Sequence, residues 1–305
     1  MWRQRHTTTR HIPRILAQLR EHRLLCHRIG IGRICIRPRS MPLRFSQQLR
    51  PPGRQCRRKL RAHDETKFHR TSRRNVHYVE SRARNVARPL ADNIKVLEGV
   101  PTGIAMITIG ENDNTIIVVP GANGKVDKEY IDGIKEELKN YDMVVLQHEI
   151  PLETVHYTVE FCSENNIPVI LNPAPAAEVP MEVVEKVTYL TPNEHEAVLI
   201  FGNELSSEEL LKKYAGKLLI TQGSKGVSTC LETGEILTVP ARPAKVVDTT
   251  GAGDTLNGAF SVQIANGADI KTALTFANTA ASLSTEKFGA QTGMPTVSEV
   301  EKELQ

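Results

Sequence analysis

At 305 residues, 40% hydrophobic and 24% charged, with a formal net charge of +4, the chain has the make-up of a soluble globular protein of one large or two small domains. No apolar run approaches the length that spans a bilayer as a helix, and the five cysteines are odd in number, scattered and without a Cys-x-x-Cys pair, which predicts no helical membrane span and argues against a disulfide framework. The net charge conceals two unlike parts: residues 1–92 carry 24 Lys and Arg against 5 Asp and Glu, or +19, while residues 93–305 carry 15 against 30, or −15.

Residues 1–92 hold 22 Arg and 2 Lys, whereas 93–305 hold 14 Lys and the single Arg242. Their apolar residues come in short pieces, Ile15–Leu16, Leu24–Cys26 and Ile34–Ile36, broken by prolines at 13, 38, 42, 51, 52 and 89. No helical or strand period is sustained, which predicts a poorly structured segment, with Arg14–Arg28 a basic amphipathic helix if given a partner. Four readings are open: an Arg-rich organellar transit segment, a nucleic-acid or anionic-lipid arm, a solvated extension, or a stretch outside the coding frame of the remainder. The abrupt switch from Arg to Lys favours the last. Charge without a recognition motif predicts no specific nucleic-acid partner. Cys26, His27 and Cys35 match no compact zinc spacing. The odd, scattered cysteines predict reduced thiols in the cytosol.

From residue 93 the pattern becomes regular. Gly103–Ile109 and Thr115–Val119 predict two strands joined by the Asn- and Gly-rich turn 110–114. Val126–Asn140 reads as a helix, Met143–Gln147 as a buried strand, Leu152–Glu164 as a helix and Pro168–Leu171 as a strand. Thr188–Leu190 and Lys217–Thr221 follow as two more strands. Strands of continuous Val, Ile and Leu separated by helices predict an α/β fold: a doubly wound, mainly parallel sheet with helices on both faces. Ligands in such folds collect beyond the carboxyl ends of the strands. Glu149, Asn172-Pro173, Asn193 to Glu196 and Thr221 to Gly226 all fall there, although each could singly be a plain turn or a solvated loop.

Near the C-terminus, an apolar run ending in Val246 and Val247 meets Asp248-Thr249-Thr250-Gly251-Ala252-Gly253-Asp254, and Asp254 to Ile264 has helical periodicity. A glycine turn that opens a helix presents unpaired N–H groups and a positive dipole end to an anion such as phosphate. Asp254 is out of place beside a phosphate unless it takes a proton from an attacking hydroxyl. The competing reading is an ordinary helix entry with Asp254 as its cap. Ile270–Ser284 and Val297–Leu304 predict two further helices.

The string Asp248–Phe260 resembles the signature of the ribokinase-like, pfkB-type carbohydrate kinases, and the resemblance runs from about residue 92 to 305. It implies an ATP-dependent phosphotransferase acting on a sugar, with D-ribose foremost and fructose, a nucleoside or another sugar as alternatives. Asp254 would be the catalytic base, and Gly251, Ala252 and Gly253 the anion hole. Asn193, Thr221, Gln222, Gly223, Ser224, Lys225, Gly226 and Asn278 would bind ATP, with Gly253 and Asp254 beside it. Glu149 would touch the sugar, and Glu196 would organise Mg2+ indirectly. Asp248, Thr250, Ser284, Lys287, Gly289 and Gly293 would hold a monovalent cation, K+, mainly through backbone carbonyls. His148, His156 and His195 would be structural or solvated.

One part of the family pattern has no counterpart. The chain contains no Gly-Gly pair, and residues 1–92 contain only Gly30, Gly32 and Gly53, so the sugar loop, the first strands and the lid, which often makes the dimer contact, are not legible. The resemblance therefore implies weak or absent turnover in this chain. A rival of another class is a nucleotide-binding remnant carrying a basic polyanion-binding arm.

Overall fold

The computed structural model describes residues 97–101, 103–110, 113–290 and 293–305, together with the backbone of Cys35–Pro38. The expectations for the rest of residues 1–92, the Arg14–Arg28 helix included, fall outside the described residues, as do Glu111, Asn112 and Gln291. One difference is visible: Cys35–Pro38 is a strand, β1, where the broken apolar pieces predict none. It lies antiparallel to the segment 141–147, with Cys35 opposite Val145 and Ile36 opposite Val144. Four residues are too few to show a period, so only the partner strand reveals it.

β2 (Ile104–Gly110) and β3 (Asp113–Val119) pair antiparallel from Ile104↔Val119 to Gly110↔Asp113, as the turn chemistry predicts. After a 3-10 turn come α1 (Lys128–Leu138), β4 (Tyr141–Gln147), α2 (Leu152–Glu164), β5 (Val169–Asn172), α3 (Met181–Lys186) and β6 (Tyr189–Leu190). β4, β5 and β6 run parallel, with Val144 beside Val169 and Leu171 beside Leu190. α4 (Glu194–Phe201) and α5 (Ser207–Lys213) lead to β7 (Leu219–Thr221), joined to this sheet by parallel bridges at Leu190↔Leu218 and Asn193↔Thr221.

Beyond β7 the direction reverses. β8 (Val227–Cys230) and β9 (Ile236–Val239) form an antiparallel extension that the apolar pattern did not predict, because both strands are only four residues long and Ser228, Thr229 and Thr238 interrupt their apolar residues. Thr221–Gly226 is therefore a hairpin connection at the end of the parallel sheet. α6 (Ala252–Ala265), α7 (Ile270–Ser284) and α8 (Val297–Glu303) complete the chain.

The side-chain alternation of the central strands explains the two-sided cover. Val144, Leu146, Leu171, Leu218 and Ile220 pack with α1, α2, α3 and α5 on one face. Met143, Val145, Ile170 and Leu219 pack with α6, α7 and α8 on the other, around Phe260, Leu274 and Val300. Burying each such side chain contributes about 1.5–3 kcal/mol against the entropy of ordering it. Two packed faces hold the carboxyl ends of β4, β5, β6 and β7 at one rim, and the loops that follow them share it.

Candidate active site

Five helices close their first turn with a side chain of their own. Asp127 caps α1, Asn193 α4, Ser206 α5, Asp269 α7 and Thr296 α8, each accepting a backbone N–H. α6 is different. Its cap is Gly251, left-handed at φ 85°, which has no side chain to offer. A Cβ there would meet Cβ and Cα of Ala290 at 3.0 and 3.2 Å, so glycine is required by both torsion and space. The open turn faces the strand-end rim, where its N–H groups suit an anion. A Cβ on Gly253 would meet nothing within 4 Å, which leaves room beside it for a ligand, whereas the Ala252 N–H is engaged by Thr249 O at 3.1 Å.

Asp254 stands half-buried in this first turn, and Gln147, the last residue of β4, donates its amide Nε2–H to Asp254 Oδ1 at 3.1 Å. A second tie runs through buried groups. Asn257, one turn further along α6, donates to Gly253 O at 2.9 Å and accepts from Thr191 Oγ1 at 2.7 Å. Thr191 O in turn accepts from Asn172 Nδ2 at 2.9 Å. The ends of three neighbouring strands thus brace the turn that carries Asp254. The sequence marks Asn172 and Thr191 only as strand-end positions with no assigned role, and it does not single out Gln147 and Asn257 as site residues. The available signal was a polar side chain at the end of an apolar strand, which Gln147 and Asn172 both carry.

Glu149 lies two residues past Gln147 at the same rim, half-buried. Asn193 and Glu196 are occupied with each other. Asn193 Oδ1 accepts from Glu196 N and Glu196 Oε2 from Asn193 N, each at 2.8 Å, forming a capping box at α4. Burial pushes the Glu196 carboxyl up from its ordinary range, against the opposing effect of the Asn193 N–H. Asn193 also bridges to Thr221, which brings this motif against the β7–β8 hairpin.

Within that hairpin Gly223, Ser224 and Lys225 are exposed, and Lys225 Nζ is 3.7 Å from Glu194 Oε1. Gln222 is held from both sides, by Ser228 Oγ at 2.8 Å and by Glu194 at 3.4 Å. Gly226 has φ 102°, and a Cβ on it would overlap the Val239 carbonyl oxygen. Asn278 on α7 is buried, and its amide group donates to Val239 O at 3.0 Å and Pro240 O at 2.8 Å. Its amide hydrogens therefore tie β9 to α7 and are not available to a purine base.

The remaining predicted residues converge around a loop. Asp248 accepts from Thr250 N at 2.9 Å through one oxygen and from Gly289 N at 2.8 Å through the other. Val247 and Asp248 both donate their N–H to Thr285 O, although Val246 and Val247 are themselves exposed. A Cβ on Gly293 would collide with Ser284 O and lie 3.1 and 3.3 Å from Gly289 O and Lys287 O. Three carbonyl oxygens therefore surround a volume that only glycine leaves open. Ser284 Oγ turns back to Ala281 O, so Ser284 presents its carbonyl alone. Arg242 fastens this loop to the end of α8, donating to Glu286 at 2.8 Å and to Glu303 at 2.6 Å.

His148 is buried with Nδ1 3.2 Å from Pro175 O, and His195 is exposed. Burial lowers the pKa of both His148 and His156, and the Nε2 atoms of the two are buried without a hydrogen-bond partner. Among the described residues no group of three or more His, Cys, Asp or Glu could hold a metal, and no helix is long and apolar enough to cross a membrane. Cys162 and Cys230 are free and buried, and burial pushes the Cys162 thiol up to about 12.

The model of the pfkB family of carbohydrate kinases matches residues 90–297. A ribokinase of Bacillus subtilis is 48% identical over 213 residues, covering 70% of this chain and 72% of that protein. Among solved structures, a ribokinase of Thermotoga maritima is 37% identical with a TM-score of 0.61, covering 69% of this chain and 71% of that one. Another, an Arabidopsis thaliana ribokinase complexed with ribose and ATP, is 32% identical with a TM-score of 0.61 and covers 68% and 70%. A family match over about two-thirds of the sequence, with a relative 48% identical over 72% of its own length, identifies this chain as a member of the pfkB family of carbohydrate kinases.

Proposed function

We propose that this chain transfers the γ-phosphoryl group of ATP to the primary hydroxyl of D-ribose, giving D-ribose 5-phosphate. The observation that carries the reading is Asp254 in the uncapped first turn of α6, braced from β4 by Gln147. Asp254 takes the proton of the sugar hydroxyl, Gly251 and Gly253 offer N–H groups to the phosphoryl oxygens, and Glu149 holds a sugar hydroxyl. The nucleotide lies across the Thr221–Gly226 hairpin, where Lys225, exposed and 3.7 Å from Glu194, reaches its phosphates. Glu194, Asn193 and Glu196 bond one another or the hairpin, so Mg2+ arrives on ATP, and no direct ligand to it is assigned among the described residues.

The carbonyl cradle of Ser284, Lys287 and Gly289 at Gly293 fits a monovalent cation, since a ring of carbonyl oxygens replaces the hydration shell of K+. Bound there, K+ would neutralise carbonyl dipoles and fix the loop that Asp248 holds beside α6. The sugar-fixing groups that the family pattern places before residue 92 are not legible in this sequence, so turnover is slow. Free, buried thiols suit a cytosolic enzyme.

The test is ADP formation with D-ribose at defined Mg2+ and K+, on this chain and on Asp254→Asn, with the product identified by mass. Ribose-dependent ADP formation lost in the variant is the expected result. A folded native chain that binds ATP and makes no sugar phosphate would sink the proposal.

A further inference from the structure

We propose that Gln147 is a positioning residue for the base, which orients the Asp254 carboxylate from the end of β4; this rests on the kinase reading above. Gln147 is 4% exposed, follows the apolar run Met143–Leu146, and lies beside Asn172 in the parallel register. Its amide is only half used. Nε2 donates to Asp254 Oδ1, and Oε1 is buried with no partner. An orphaned buried carbonyl lowers stability, and an apolar side chain of the same length would remove that loss. Packing therefore gives no reason for glutamine here.

The bond to Asp254 gives one. The contact spans 107 positions of sequence and ties the sheet to the first turn of α6, the point where proton transfer needs a fixed carboxylate. An amide N–H is a donor that does not titrate, so it holds the carboxylate without competing for the proton Asp254 must take. A lysine would add a charge that attracts the phosphoryl group away from its seat, and a carboxylic acid would repel Asp254 once ionised.

The experiment compares the full native chain with Gln147→Met and Gln147→Glu by ligand-free thermal unfolding and by kcat and KM for ribose and ATP from pH 5.5 to 8.5. Gln147→Met should melt within about 2 °C of the native chain or above it, since the orphan is gone. Its kcat should fall about ten- to hundredfold with both KM values within about threefold. Gln147→Glu should recover rate relative to the native chain as the pH is lowered, because its protonated acid can donate as the amide does. A native kcat in Gln147→Met, or a melting temperature lowered by more than about 5 °C, overturns the proposal. If the native chain itself makes no sugar phosphate, the kinase reading fails separately. The melting temperature of Gln147→Met then decides, an undiminished value supporting a glutamine kept for its contact and a large loss marking a structural tie.

Discussion

Gly293→Ala probes the loop that packs against the turn of α6. The new methyl would overlap Ser284 O and stand 3.1 and 3.3 Å from Gly289 O and Lys287 O. All three are backbone atoms, so no rotamer change relieves the contact, and the loop must open by several tenths of an ångström. Overpacking of this kind costs about 1–3 kcal/mol. For a folded unit of roughly 200 residues each kcal/mol shifts Tm by about 2–4 °C, so a fall of about 2–12 °C is expected. The same carbonyls are the cradle assigned to K+. A cation at ten times its Kd would add about 1.4 kcal/mol to the native chain, and opening the cradle should abolish that increment. Scanning calorimetry in potassium chloride against choline chloride at equal ionic strength reads both effects. A variant with the native Tm and the native potassium increment would refute the reasoning, and a lowered Tm with the increment intact would refute the cation assignment alone.

Asp254→Asn should keep the native Tm within a few degrees and lose about 10²–10⁴-fold in ribose-dependent ADP formation, since it removes a base and little packing. Gly226→Ala should destabilise by about 3 kcal/mol or more, because left-handed torsion and overlap with Val239 O act together; urea melts check it, and a loss under 1 kcal/mol would contradict the geometry. Burial lowers the folded-state pKa of His148 and His156 below the ordinary 6.5, the Pro175 carbonyl and Glu182 respectively working against it. Stability from the two neutral imidazoles is therefore complete above pH 6.5 and lost as the pH falls through their folded values. Tm should drop between pH 6.5 and 5.5, less so in the double variant His148→Gln, His156→Gln; equal slopes would show that these residues do not set it.

The parallel sheet was legible because Met143–Gln147 and Pro168–Leu171 are continuous apolar runs between amphipathic helices, a pattern that only two-sided burial produces. β8 and β9 were not, because Ser228, Thr229 and Thr238 break the apolar run and their pairing is set by partners elsewhere in the chain. The glycine turn and Asp254 could be read locally, since a helix entry and its anion chemistry lie within a dozen residues. The brace could not. Gln147 and Asp254 are 107 residues apart, Thr191 and Asn257 66, and nothing local says which strand ends meet which turn. Asn278 shows the converse: its position on α7 was legible, but its engagement with Val239 and Pro240 depends on where β9 ends.

The energetics of the first turn of α6 argue for function independently of any resemblance. Five other helices each gain about 1 kcal/mol from a side-chain cap, and α6 forgoes it by starting on a left-handed glycine. The strand end facing it carries a glutamine with an unpartnered carbonyl, and a buried threonine–asparagine pair is committed to a single backbone oxygen, Gly253 O. Two of these departures have a cheaper structural alternative, methionine on the strand and leucine in the helix, while the third, the glycine cap, is fixed by its left-handed torsion and by Ala290. They all meet within one helical turn, where Asp254 stands. Other departures occur elsewhere, at the uncapped starts of α2 and α3 and at the buried His148 and His156 nitrogens, but only here do several converge on one carboxylate among the described residues, as expected of a site held ready for a ligand. Under the proposed function, a phosphoryl group, with oxygens to accept the open N–H groups and a hydroxyl partner to lose its proton to Asp254, would satisfy them together.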